Sequence, residues 1–363
     1  MGSKLDKLLD SFQKDYKMKI ADPRSAGVIE RLVLDSPGLN YAFGGGLPLG
    51  RMLYIQGPES GGKSTLATYL ATQVQQKYDK KRTVVYLDYE YSFDTIHAEE
   101  MGLNVDENFI IIRPNNAEDG FNMIKELADS GEVGMIIVDS ITTMASKSAM
   151  EDAFGGFAGS KTAIAISQGL RMVNPYLYNN LCTLVVISQE RANVGVMYGP
   201  DFKGTGGKAP AFYSSWSARV TRTGDITDKQ KGLIGIEMKV RNTKNKVGIA
   251  KREANLKLYF SDGIHSDDEY IDYLKALDLI TQKGPYYSND EWENDSTGEI
   301  GMKVCGIDAV KEWLHNNPIQ YEKVKKQINE IITGHVEMDN EISDDLEENE
   351  DGEIIYENMD PES

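Results

Sequence analysis

"GPESGGKST", residues 57–65, puts three glycines, a proline and a lysine into nine positions directly after the apolar run "RMLYI". Such a density of glycine rarely serves a core. The spacing is G-x-x-x-x-G-K-S, with Gly57, Gly62, Lys63 and Ser64 at the fixed positions. It lies between an expected strand and an expected helix, the setting in which this pattern is a phosphate-binding loop. Glycines let backbone N–H groups turn inward around phosphate oxygens. Glu59, Ser60, Gly61 and Thr65 complete the stretch. The helix opening near Lys63 adds its positive N-terminal end. The Lys63 ammonium would reach the β- and γ-phosphates of a nucleotide, and the Ser64 hydroxyl would ligate Mg2+.

Outward from this loop, short apolar runs alternate with helical stretches. "RMLYIQ", "TVVYLD", "NFIIIR", "GMIIVD" and "CTLVVIS" are expected strands. Several run apolar without alternation, as strands covered on both faces do. Helices are expected over 63–78, 94–101, 118–130 and 160–180. Strand–helix alternation implies an α/β core with a mostly parallel central sheet. "WSARVTRTG", "GLIGIEMKVRN" and "EANLKLYF" are expected to extend that sheet in antiparallel sense. Residues 268–334 read as a small C-terminal α/β lobe, with amphipathic pieces at 268–280 and 306–333.

A phosphate-binding loop needs a carboxylate to support the Mg2+ shell. "GMIIVDS" supplies Asp139 at the end of an apolar strand. Hydrolysis also needs a group that orients or deprotonates water. "TVVYLDYEYSFD" places Glu90 just past another strand end. Strand C-termini face the ligand crevice in such sheets, so Glu90 is the candidate base. Taken alone, it would read as a surface acid.

The 363 residues are 40% hydrophobic, enough for one large or two modest cores. No apolar run approaches the roughly 20 residues needed to span a bilayer. "MGSKLDKLLDSF" lacks the apolar region of a signal peptide, and Asp6 stands where a myristoylation signal wants Ser or Thr. Two cysteines, Cys182 and Cys305, point to a reduced cytoplasmic protein and cannot build a metal cluster. The net charge is −18, of which thirteen negative charges fall after His335 with no Lys or Arg among them. Residues 335–363 are therefore expected to be a disordered acidic tail, serving either solubility or competition with nucleic acid.

Six stretches in order, "GPESGGKST", "YLDYEYSFD", "MIIVDS", "VISQERANVGVMYG", "GTGGKAPAFY" and "KVRNTKNK", resemble the bacterial RecA recombinase family. The likeness runs from about residue 3 to 333, with departures that suggest a phage-type member. It implies a RecA-like ATPase core over 31–267, behind an N-terminal oligomerisation helix and linker at 1–30. Glu90 would be the base, and Gln189 would sense the γ-phosphate. Lys244 and Lys246 would reach the nucleotide of a neighbouring subunit. Asp94 and His97 match positions that contact adenine, where the family usually has Tyr in place of His97. The stripe Leu5, Leu8, Leu9, Phe12 resembles a helix that packs on the adjacent protomer, and Phe212 matches an interface aromatic.

The resemblance also implies two DNA-binding loops, at 151–161 and 191–207, that face a filament axis. Long Gly-rich loops of this kind are usually functional. Lys161, Arg171, Arg191 and Lys208 would supply charge, and Gly206 and Gly207 backbone donors, to single-stranded DNA. Ser167 belongs to the same surface. Val194 matches an apolar wedge between base triplets, with Met197 and Tyr198 beside it. Ile164 stands where the family has an arginine. The implied function is an ATP- and Mg2+-dependent recombinase that polymerises on single-stranded DNA and pairs it with homologous duplex DNA. Single-strand-binding and mediator proteins would assist it, with no membrane involved. The alternative is a RecA-like hexameric helicase or translocase. That class usually carries a large N-terminal domain, and only about fifty residues precede the loop here.

Overall fold

The computed structural model describes residues 4–16, 28–78, 82–151, 158–192, 202–204, 208–261 and 263–334. Chain order begins with α1 (Lys4–Tyr16), then a short ladder of β1 (Arg31–Leu32) with β2 (Leu47–Pro48) around α2 (Pro37–Phe43). The alternating part follows as β3 (Met52–Gly57), α3 (Lys63–Lys77), β4 (Thr83–Asp88), α4 (Thr95–Glu100) and β5 (Phe109–Ile112). It continues with α5 (Ala117–Asp129), β6 (Val133–Asp139), α6 (Lys147–Glu151), α7 (Ala158–Asn179) and β7 (Thr183–Ala192). β8 (Phe202–Gly204) folds back on β7, and α8 (Ala209–Tyr213) leads into β9 (Trp216–Asp228), β10 (Gly232–Asn245), β11 (Glu253–Tyr259) and β12 (Gly263–Ile264). Last come α9 (Ser266–Ala276), β13 (Thr281–Lys283), β14 (Tyr286–Glu293), β15 (Ile300–Cys305), α10 (Ile307–Asn316) and α11 (Pro318–Thr333).

The central sheet runs β12-β11-β10-β9-β3-β7-β6-β4-β5. The pairs from β9 to β5 are all parallel. The five apolar runs are β3 to β7, and in β3, β4, β6 and β7 alternation explains why they read as continuous, whereas the edge strand β5 leaves Ile110 and Ile111 exposed. Leu53 and Ile55 of β3, Met135 and Ile137 of β6 and Val185 and Ile187 of β7 enter one apolar cluster. Their neighbours Met52, Tyr54, Ile136, Val138, Leu184 and Val186 enter the cluster on the other face. Helices cover both faces of these four inner strands, so neither phase of their period-two pattern can be polar.

One expectation needs correction. β9 was expected to join the sheet antiparallel, but it pairs with β3 in parallel, Leu53 opposite Trp216 and Gln56 opposite Arg219. The antiparallel sense starts one strand later, at β9 with β10. The physical reason is the connection. β7 ends at the same sheet edge as β3, and the chain returns through α8 to the opposite edge before β9 starts. That crossover gives a parallel neighbour.

A third apolar cluster lies in residues 266–333, with Tyr270, Leu274, Tyr287, Trp292, Val310, Leu314 and Ile328. It packs α9, α10 and α11 against the antiparallel sheet β13-β14-β15. The helices match the expected amphipathic pieces, and the three-stranded sheet makes the lobe α/β as expected, although none of its strands was located from the sequence. Its strands, such as "TQK" and "YYSNDEWE", are mostly polar and offer little periodicity.

Glu269 joins this lobe to the core. Its Oε2 accepts from Ser36 Oγ at 2.8 Å and from the Gly38 N–H at 3.0 Å, at the start of α2. Burial pushes its carboxyl up to about 8, against the opposing pull of those two donors. The unfolded chain releases this proton near pH 4.5. Between the two values the folded state holds more protons, so stability falls as pH rises and the loss is complete above about pH 8. The melting temperature should fall from about pH 5 to about pH 8, and Glu269→Gln should flatten that fall because its amide oxygen can still accept both bonds. Parallel melting curves for the two proteins would assign the pH dependence elsewhere.

Candidate functional site

The carboxyl ends of β3, β4, β6 and β7 converge on one crevice. β3 delivers the Gly57–Gly62 turn, β4 delivers Asp88 and then Glu90, β6 ends at Asp139, and β7 carries Gln189 opposite Gly57. Helix α3 leaves the turn with Gly62 as N-cap at φ +90°, and no side chain caps it. By contrast α2, α4 and α5 are capped by Ser36, Asp94 and Asn116. An uncapped N-terminus inside a glycine turn keeps its N–H groups available to an anion. The turn also presses on β9: a Cβ on Gly57 would lie 2.1 Å from the Val220 carbonyl oxygen. Only glycine fits there.

Lys63 is 7% exposed and donates to the Pro58 carbonyl at 2.6 Å. Burial lowers its ammonium pKa, opposed by the carboxylates of Asp139, Glu90, Glu190 and Glu59. Asp139 Oδ2 accepts from Ser64 Oγ and from Tyr86 OH, each at 2.6 Å. Burial raises the Asp139 pKa, and these two hydroxyls oppose the rise. A serine hydroxyl bonded to a buried carboxylate beside a lysine is a donor set that suits Mg2+ on phosphates. Mg2+ commonly takes one or two protein ligands and keeps its waters. Among the described residues no group of three or more His, Cys, Asp and Glu gathers where it could hold a metal ion.

Glu90 is held from two sides. Its Oε1 accepts from Ser140 Oγ at 2.5 Å and from Gln189 Nε2 at 3.0 Å. The Gln189 N–H in turn donates to Thr142 Oγ1 at 3.0 Å. The candidate base and the candidate sensor are therefore hydrogen-bonded to each other across three strand ends.

A cavity of about 360 Å3 opens beside the loop, lined by Ser60 to Thr65 together with His97, Arg222, Ile236, Leu258 and Phe260. Its size suits a nucleotide. His97 lines this cavity. Asp94 is not among its lining residues; it caps α4 by accepting from the His97 N–H at 3.1 Å. Sequence reasoning missed Tyr86, Ser140, Arg222, Ile236, Leu258 and Phe260. Ser140 could have been found from "IIVDS", since it directly follows the candidate metal-supporting carboxylate. The others come from distant strands whose local pattern speaks only of burial.

Lys244 and Lys246 are not at this crevice. Lys244 Nζ donates to the Phe212 carbonyl at 2.9 Å and also to Ala211, and Lys246 Nζ donates to Phe212 at 3.3 Å. Lys244 sits opposite Ser217, which is itself opposite Tyr54, three residues before Gly57. Strand spacing then puts its backbone about 10 Å along the sheet and about 10 Å across it from the loop. Burial pushes the Lys244 ammonium down to about 8, with Lys246 adding repulsion. Phe212 stands 68% exposed beside them.

Of the expected DNA contacts, Lys161, Ile164, Ser167 and Arg171 lie on α7, with Ile164 and Arg171 exposed. Lys208 is exposed just before α8. The backbone of Arg191 pairs with Lys203 in the β7–β8 ladder. Val194, Met197, Tyr198, Gly206, Gly207 and most of the first loop lie outside the described residues, as does the acidic tail. Leu5 and Leu8 of α1 are 59% and 48% exposed.

The model of the RecA N-terminal domain family matches residues 1–265. The chain belongs to the RecA family. It is 32% identical over 349 residues to the Protein RecA of Rickettsia bellii strain RML369-C, covering 95% of this chain and 97% of that protein. It is 33% identical over 331 residues to the Protein RecA of Rickettsia massiliae, covering 91% and 92%. It is 30% identical over 335 residues to the Protein RecA of Chlorobium chlorochromatii, covering 92% and 91%. As a RecA-type recombinase it is a DNA-dependent ATPase. These relatives do not favour the helicase reading. Among the described residues no helix is long and apolar enough to cross a membrane.

The tight contact at Gly57 gives a direct test. Gly57→Ala forces the loop off Val220 and should weaken nucleotide binding by about tenfold or more. Titration with a fluorescent ATP analogue checks this, and an unchanged affinity would mean the turn is not the phosphate cradle.

Proposed function

We propose that this RecA-family chain polymerises on single-stranded DNA with ATP and Mg2+ in the Gly57–Ser64 turn, pairs the strand with homologous duplex, and releases DNA on hydrolysis. The observation that carries the reading is the Gln189–Glu90 hydrogen bond, 3.0 Å long, which ties the candidate base to the strand entering the second DNA loop. Lys63 would exchange the Pro58 carbonyl for phosphate oxygens. Ser64 and Asp139 would hold Mg2+, which when bound would neutralise charge on those oxygens. Glu90 would accept the proton of the attacking water, oriented by Ser140. Gln189 would trade its bond to Glu90 for a phosphate oxygen, so that the occupied site differs from the empty one in β7.

Lys244 and Lys246 would act on the site of the next protomer. Their anchorage on α8, away from their own crevice, supports this reading. Cations supplied in trans make turnover depend on assembly. The exposed Leu5, Leu8 and Phe212 are the surfaces we assign to that assembly. Lys161, Ser167, Arg171, Arg191 and Lys208 would contact the phosphodiester backbone, without reading sequence. Work in the cytoplasm of a bacterial or phage-infected cell, at the nucleoid and alongside single-strand-binding and mediator proteins, completes the reading.

Glu90→Gln should keep ATP-dependent binding to single-stranded DNA while turnover falls by about 10² or more. A phosphate-release assay beside a fluorescence-anisotropy titration checks both, and ordinary turnover would remove Glu90 from its role. Lys244 in the unassembled chain loses its charge as pH rises through about 8. The protein concentration needed for cooperative ATPase activity should therefore rise above that pH. Lys244→Arg, which stays charged, should remove the effect. An identical pH profile in the variant would contradict it.

A further inference from the structure

Glu190 directly follows Gln189 on β7, and its side chain is only 3% exposed. The Nε of Arg219 on β9 donates to both of its carboxylate oxygens, at 3.1 and 2.9 Å. These two strands flank β3 on either side. Gly57 is opposite Gln189, and Gln56 is opposite Arg219. The ion pair therefore crosses the end of β3 at the root of the phosphate-binding turn. The next residue along β9, Val220, is the one whose carbonyl presses on Gly57. The Glu190 carboxylate also acts electrostatically on Lys63. At its other end Glu190 opens the β7–β8 ladder, opposite Gly204.

We propose that the Glu190–Arg219 pair is a positioning clasp. It fixes β7 against β9 across the turn, so that Gln189 holds Glu90 in register and a change at one strand reaches the other. Neither residue lines the cavity beside the turn. A buried carboxylate needs a partner, and removing one member leaves an uncompensated charge. A pair that served stability alone would be replaceable by two apolar side chains of similar size, which often costs nothing. A clasp would not be replaceable, because methionines hold no fixed geometry. The inference rests on the proposed roles of Gln189 and Glu90.

The test uses the full-length protein with three changes: Glu190→Gln, Arg219→Met, and the double variant Glu190→Met with Arg219→Met. Melting temperature, DNA-stimulated kcat, KM for ATP, and the ratio of oligo-dT affinities with ATP and with ADP are measured for each. The double variant is expected to melt at or above the wild-type temperature. Its DNA-stimulated kcat should still fall about tenfold or more, as misplaced catalytic groups do, with KM within about threefold. Its ATP-to-ADP affinity ratio should shrink towards one. Recovery of both kcat and the affinity ratio in the double variant would overturn the proposal and leave the pair structural. Glu90→Gln is the control that separates the two readings. It should lose turnover yet keep the affinity ratio. Full turnover there would undo the assignment of the base, not the clasp.

Discussion

Asp139 is the constraint on which the crevice depends. A carboxylate 4% exposed at the end of an apolar strand is costly unless its oxygens are satisfied. Ser64 and Tyr86 satisfy the same oxygen, one from the first turn of α3 and one from β4. That single atom therefore ties the phosphate-binding turn to the strand that carries Glu90. Tyr86 is itself fixed by packing on Phe93, with ring centroids 4.7 Å apart. The polar site is anchored into the apolar core through one aromatic ring.

The rest of the geometry follows from parallel strands. Their carboxyl ends share one sheet edge, so Gly57, Glu90, Asp139 and Gln189 meet although they are far apart in sequence. β9 continues the parallel order on the far side of β3 and presses Val220 against the turn. β10 then runs back and carries Lys244 and Lys246 to the opposite end. One sheet thus holds a nucleotide site at one edge and, at the other, the cations proposed for a neighbour's site. On that proposal a protomer would carry half of two sites rather than one whole site, which would make assembly part of the chemistry.

Much of this was legible in the sequence, for physical reasons. A P-loop writes its function into local spacing, because glycines and a lysine must sit within eight residues. Buried parallel strands write themselves as unbroken apolar runs, and the five observed strands match them closely. The sense of β9 was not legible, since periodicity reports burial and not direction. The polar sheet β13-β14-β15 left no apolar signal to read. Nor could spacing show that Ser140 and Gln189 share one oxygen of Glu90, or that Asp94 spends its carboxylate on a helix cap. Those facts depend on side chains that the sheet brings together from distant positions.

The central claim is that a complete ATPase site exists only when protomers assemble on DNA. The most direct measurement is ATP hydrolysis by the unmodified protein over a range of protein concentrations, with and without oligo-dT. The account predicts little activity without DNA, and with DNA a turnover per protomer that rises cooperatively with concentration. A turnover per protomer independent of both DNA and concentration would mean that each chain carries a whole site, and would contradict it.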